Sequence, residues 1–150
     1  MAIVTSFLGP NVANAAKQFD GISKCYVMKN TVDLSLNTAL VASDVIQVLN
    51  IPAKTFVQNV WVRITTPSGG TLTATVGDTN AANGWDNATD LNAAAGTITC
   101  GATGTDAYAL SSLGPGKSYP TALPISLTLS ANAPGVVGKF DVFALCMDVS

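Results

Sequence analysis

The sequence predicts an all-β fold: a β-sandwich or jelly roll of about eight short antiparallel strands, preceded by an N-terminal arm. Three observations predict it. Stretches such as Leu72-Thr73-Ala74-Thr75-Val76 alternate apolar and hydroxyl-bearing side chains, the period of two that marks a half-buried strand. Helix formers are scarce: charged residues make up 11% of the chain, against about 25% in an ordinary domain, and every acidic residue is Asp. Gly- and Pro-containing segments separate the alternating stretches, as turns between short strands require. A length of 150 residues suits one domain, placed at residues 25–150, with residues 1–24 as the arm.

In the arm, Pro10 breaks regular structure and Asp20-Gly21 reads as a turn. Its apolar points are Ile3, Val4, Phe7 and Leu8; an ordinary edge strand of the same domain is the competing reading. Cys25–Met28 and Thr31–Asn37 follow as strands, the latter with Val32, Leu34 and Leu36 alternating against Asp33, Ser35 and Asn37. Three successive strands then form the centre: Asp44–Asn50, Phe56–Thr66 and Thr71–Gly77. In the second, Val60, Val62 and Ile64 share one face, and Asn59, Trp61, Arg63 and Thr65 the other. Thr66-Pro67-Ser68-Gly69-Gly70 has the composition of a hairpin loop between the second and third.

Periodicity stops after Gly77. Asp78 to Gly96 reads as a long exposed loop around Trp85, the kind that is usually functional unless an element has been missed. Ile98–Cys100 and Tyr108–Leu110 are short strand candidates, and Leu113 to Pro124 is a Gly/Pro-rich connection. Near the end, Ile125, Leu127 and Leu129 alternate with Ser126, Thr128 and Ser130. Phe140 to Val149 is apolar on both faces: Phe140, Val142, Ala144 and Cys146 on one, Phe143, Leu145, Met147 and Val149 on the other. An antiparallel strand with one wet face alternates cleanly. This one is therefore expected to be covered twice, by a second sheet and by a neighbouring subunit.

The chain contains no His, which removes Ser-His-Asp and Cys-His sites. Asp78, Asp86 and Asp90 are the remaining paired-carboxylate candidates, but general acids need burial that an exposed loop does not give. No enzyme is expected. Gly114-Pro115-Gly116-Lys117-Ser118 ends like a phosphate-binding loop, yet Ser111 stands where the first Gly belongs and Pro120 opposes the helix that should follow. Asp78, Asn80, Asn83, Asp86, Asn87 and Asp90 form an oxygen-rich run of the kind Ca²⁺ prefers, without EF-hand spacing, and Asn and Asp are also turn formers. Neither metal nor cofactor is expected. Cys25, Cys100 and Cys146 read as buried thiols of a protein made in a reducing cytoplasm. No apolar run approaches about 20 residues, no basic residue precedes the apolar start, and the formal charge is −2. Membrane and nucleic-acid partners are therefore not expected. Trp61 and Arg63 are of residue types enriched at interfaces; an Arg stacked on a Trp at an ordinary surface is the plainer alternative.

Several stretches carry a family resemblance. They are Asp44-Val45-Ile46-Gln47-Val48-Leu49, Ile51-Pro52-Ala53, Val60-Trp61-Val62-Arg63-Ile64-Thr65-Thr66 and Thr71 to Asp78, then Gly84-Trp85, Asp90-Leu91-Asn92 and Ile125 to Leu129. From Cys25 to Val149 the chain resembles small virion proteins of tailed bacteriophages, of the capsid decoration (cement) type. The resemblance implies a homotrimer made in the host cytoplasm and carried on the capsid exterior. There it would bind the major capsid protein and bridge neighbouring capsomers against the pressure of packaged DNA. The alternative is a head-fibre or tail-associated module that binds a receptor or glycan, with Trp85, Tyr108 and Tyr119 as exposed aromatics. Under the first reading, Ile3, Val4, Phe7 and Leu8 make the capsid or subunit contact, and Trp61, Arg63, Phe143, Leu145 and Met147 the subunit interface.

Overall fold

A computed structural model describes residues 24–36, 40–100, 108, 116–131 and 137–149. Nine strands occur among them: β1 (Cys25–Asp33), β2 (Val45–Ile51), β3 (Thr55–Thr66), β4 (Thr73–Asp78), β5 (Ala81–Asp90), β6 (Ile98–Cys100), β7 (Lys117–Tyr119), β8 (Leu123–Leu129) and β9 (Lys139–Asp148). One sheet has the order β1-β9-β3-β6, with β7 pairing the same strand β3 as β6; the other has the order β2-β8-β4-β5. All pairings are antiparallel. Successive strands from β1 to β4 alternate between the two sheets, and β8 and β9 return to their middles. This interleaving is a jelly roll, the β-sandwich expected from the sequence.

The core lies between the sheets. Val57, Val60, Val62 and Ile64 of β3 and Phe140, Val142, Ala144 and Cys146 of β9 face Leu49, Ile51, Ala74, Val76, Ile125, Leu127 and Leu129 of the second sheet, all of them buried. Val57 and Val60 both point inward although they are three positions apart, an odd spacing that a regular pleat puts on opposite faces. A bulge explains it: Val57 pairs with Cys146 and Asn59 with Leu145, so Gln58 is an extra residue that resets the pleat. The same device between Gln47 and Leu49 brings both Val48 and Leu49 inside.

Three expectations are corrected. The second and third central strands do not form a hairpin, because β2 and β4 belong to one sheet and β3 to the other. The segments joining the central strands are corners that change sheet. In the second corner, Gly69 and Gly70 adopt φ of 77° and 82°, and Ser68 N–H donates to the Leu91 carbonyl. The hairpin between consecutive strands is β4–β5, where Asp78 Oδ1 accepts the N–H groups of Asn80 and Ala81 at 2.9 and 3.3 Å. The expected loop over Asp78 to Gly96 is thus largely strand β5. Finally, Thr31–Asn37 is not a separate strand: β1 runs to Asp33 and a 3-10 turn follows over Leu34–Leu36. The Asp33 carboxylate accepts the Ser35 N–H at 3.0 Å, which draws the chain into that turn and leaves Leu36 exposed.

Candidate functional site

The outer face of the larger sheet is built by four strands, β1, β9, β3 and β6. Trp61 pairs with Phe143 and Arg63 with Asp141 across β3–β9. On the other flank of β9, Val27 pairs with Leu145, Lys29 with Phe143 and Thr31 with Asp141. Because Arg63 also pairs with Ile98 of β6, these residues come together on one pleat face. Val27, Trp61, Ile98 and Phe143 line an apolar groove of about 340 Å³. Val27 and Ile98 are each 61% exposed. Phe143, Leu145 and Met147 are half-buried and Val149 is 46% exposed. The second face of β9 is therefore only part-covered among the described residues, whereas its first face is fully buried.

Asp141 sits at the groove's margin with a nearly buried side chain, 4% exposed. It accepts Thr31 Oγ1 at 2.7 Å, holds Lys29 Nζ at 3.2 Å and binds Arg63 Nη2. Burial pushes this carboxyl up, but the bonds from Thr31, Arg63 and Lys29 outweigh it, and the net shift is below the ordinary value. Both cations also lie over the Phe143 ring, at 5.5 and 5.7 Å from its centroid. Arg63 therefore stacks on Phe143 rather than on Trp61, its neighbour on the same strand.

A second polar cluster lies at one end of the sandwich. Asp78 Oδ2 binds Lys117 Nζ at 2.6 Å and accepts the Tyr119 hydroxyl at 2.9 Å. Trp85 Nε1 donates to the Tyr119 oxygen at 3.2 Å, and Lys117 donates to the Tyr108 hydroxyl at 3.0 Å. Burial acts to raise the Asp78 carboxyl; Lys117, Asn80 N–H and Tyr119 together pull it below its ordinary value. Burial and the Asp78 charge push the Tyr119 phenol well above its own. The cluster ties β4 and β5 to β7 across the two sheets. It is satisfied within the chain and offers no nucleophile beside a base.

These positions bear on further readings of the sequence. Trp85 and Tyr119 are fully buried and Tyr108 is half-buried, so they are not an exposed glycan-binding set. Lys117 is a strand residue paired with Asp78, not the end of a phosphate loop. The oxygen-rich run is spent on nearby groups of the chain: Asp86 accepts Ala88 N–H and the Thr89 hydroxyl, and Asp90 accepts Asn92 N–H. Among the described residues no three His, Cys, Asp or Glu side chains converge as a metal site would require. Cys25 is exposed at the start of edge strand β1, contrary to the expected burial of all three thiols. Cys146 is buried, which pushes its thiol up to about 11. Ile3, Val4, Phe7 and Leu8 lie outside the described residues. The sequence reading missed Asp141, Val27 and Ile98. Asp141 inside the otherwise apolar run from Phe140 to Met147 was the available signal for a buried charge that needs partners.

No protein-family model matches the chain, and no curated protein matches it in sequence. Solved structures match in fold. A chain of the cyanophage Pam1 capsid asymmetric unit superposes with TM-score 0.57 at 15% identity, covering 85% of this chain and 86% of that one. A chain of the Ralstonia phage GP4 capsid gives TM-score 0.57 at 17% identity, covering 85% of each. A chain of the acid-stable capsid of Helicobacter pylori bacteriophage KHP30 gives 0.50 at 16%, covering 81% of this chain and 86% of that one. At these identities the likeness is one of fold.

Proposed function

We propose that this chain is a non-enzymatic structural protein of a tailed-phage virion. In this reading it is a decoration protein on the capsid exterior, made in the host cytoplasm. It binds the major capsid protein, bridges neighbouring capsomers and works as a homotrimer. The observation that carries the reading is the jelly roll itself, shared over 85% of the chain with proteins from two phage capsid structures. The chemistry supports it: the conspicuous surface is an apolar sheet face, and the buried carboxylates Asp78 and Asp141 are each paired with cations of the same chain. Trp61, Arg63, Phe143, Leu145 and Met147 belong to the subunit interface. Residues 1–24 form the arm whose Ile3, Val4, Phe7 and Leu8 make the capsid or subunit contact, and residues 25–150 form the body. The competing head-fibre or tail module loses its motive, because two of its three candidate aromatics are buried.

The test is the copy number on purified virions of the encoding phage, by quantitative mass spectrometry and antibody-labelled electron microscopy. Hundreds of copies spread over the shell are expected. A few copies at one vertex would transfer the protein to the fibre or tail class, and its absence from virions would overturn the reading.

A further inference from the structure

We propose that the apolar groove formed by Val27, Trp61, Ile98 and Phe143 is the docking site of the chain's own N-terminal segment, Ile3 to Leu8. The groove is lined by carbon-rich side chains, two of which are 61% exposed, in the middle of a sheet face. Both cations at its margin, Lys29 and Arg63, are already held by Asp141. The groove therefore asks its occupant for apolar area rather than for charge.

The N-terminal segment has that character. No charged residue precedes Lys17, and Ile3, Val4, Phe7 and Leu8 supply four large apolar side chains within six residues. Phe7 offers a ring to Trp61 and Phe143, and aromatic pairs gain from edge or offset contact. The chain also enters at the right place. Lys24 carbonyl accepts the Asp148 N–H at the start of β1, and Val27, a groove residue, follows three positions later. The residues between Leu8 and Lys24 can span up to about 50 Å when extended, enough to reach this face on the same copy or on a neighbour. Docking thus joins two residue sets that the sequence reading kept apart, the N-terminal contact and the Trp61/Phe143 face.

The test uses the full-length protein in isolation, so its outcome is separate from the count on virions. Trp85 is fully buried and Trp61 is not, so a change in acrylamide quenching of tryptophan fluorescence reports Trp61. The double variant Phe7→Ser/Leu8→Ser should raise that quenching several-fold while the protein still unfolds in one cooperative urea transition, at a somewhat lower midpoint. In the reverse direction, Val27→Asp should speed tryptic cleavage after Lys17 several-fold. A concentration-dependent signal means docking between copies and a concentration-independent one docking within a copy; both support the proposal. Trp61 as freely quenched in the unmodified protein as in the variant would overturn it. So would shielding that ignores Phe7→Ser/Leu8→Ser but is lost on dilution, since the cover would then be another copy's sheet. Unchanged cleavage in Val27→Asp would remove the groove from the contact.

Discussion

Among the described residues Asp78 and Asp141 are the most deeply buried carboxylates of this lightly charged chain; Asp78 is held by Lys117, and Asp141 by Lys29 and Arg63, all from other strands. Breaking a buried pair from one side strands the other charge, at about 3–5 kcal/mol. Lys117→Met should therefore lower stability by about that amount in urea unfolding. Lys139→Met, which removes the surface partner of Asp33, should leave the midpoint nearly unmoved. The same carboxylates set the acid limb of stability. Both are held below their ordinary 3.8 in the folded state, so the unfolded chain binds more protons as pH falls. Their contribution is complete above about pH 5 and is lost as pH drops through their lowered folded values. At the alkaline end the sign reverses. Burial raises Cys146 from 9.0 to about 11 and lifts Tyr119 above its ordinary 10.0. That stability is complete below about pH 8 and is lost as pH climbs past these groups' unfolded values. With no His in the chain, the urea midpoint should stay level between about pH 5 and 8 and fall on both sides. A slope within that window would contradict this assignment.

At the scale of elements, the β4–β5 hairpin shows where close backbone approach fixes a residue type. A Cβ on Gly77 would lie 2.1 Å from the Ala81 carbonyl oxygen and 2.4 Å from Ala82 C, backbone atoms that cannot rotate away. Gly77→Ala should cost at least about 2 kcal/mol and displace β5. At Gly84 the obstacle is the Tyr108 ring, at 2.1 Å, a side chain that can turn aside. Gly84→Ala should therefore cost less, while exposing Tyr108 and releasing its bond from Lys117; comparing the two unfolding midpoints checks the order. This hairpin is also where sequence reading failed. Ala81 to Asp90 lacks β-branched residues apart from Thr89, and its burial does not alternate because the register slips twice against β4. A period-of-two search cannot find such a strand. β3, β4, β8 and β9 were legible because their inward sets keep the period, in β3 from Val60 onward, past the Gln58 bulge that breaks it. Sheet membership was not, since Pro- and Gly-rich segments serve hairpins and inter-sheet corners alike. For the candidate site, the pleat placed Trp61 with Arg63 and Phe143 with Leu145. Joining them to Val27, Lys29 and Thr31 needed pairings between residues more than 100 positions apart, which no local pattern encodes.

At the scale of the whole molecule, the asymmetry between the two faces of β9 is the feature that asks for a partner. Phe140, Val142, Ala144 and Cys146 are fully buried by the second sheet, while Phe143, Leu145 and Met147 on the other face are only half-covered by their own neighbours. β9 lies between β1 and β3, so this is the middle of a sheet, not a rim. Closed cyclic symmetry lets identical copies cover such a patch without leaving one exposed at the end of a chain of subunits. The expectation is three chains by sedimentation at micromolar concentration. Phe143→Asp tests the face without wrecking the fold, because the new carboxylate would stand beside Lys29 and Arg63, which already lie over the Phe143 ring. That variant should sediment as a monomer with its unfolding free energy lowered by no more than about 1 kcal/mol, the ordinary value for a single substitution. A monomeric unmodified protein would remove the trimer altogether. A trimer that survives Phe143→Asp would move the subunit contact to another face of the jelly roll and leave this groove to the N-terminal segment alone.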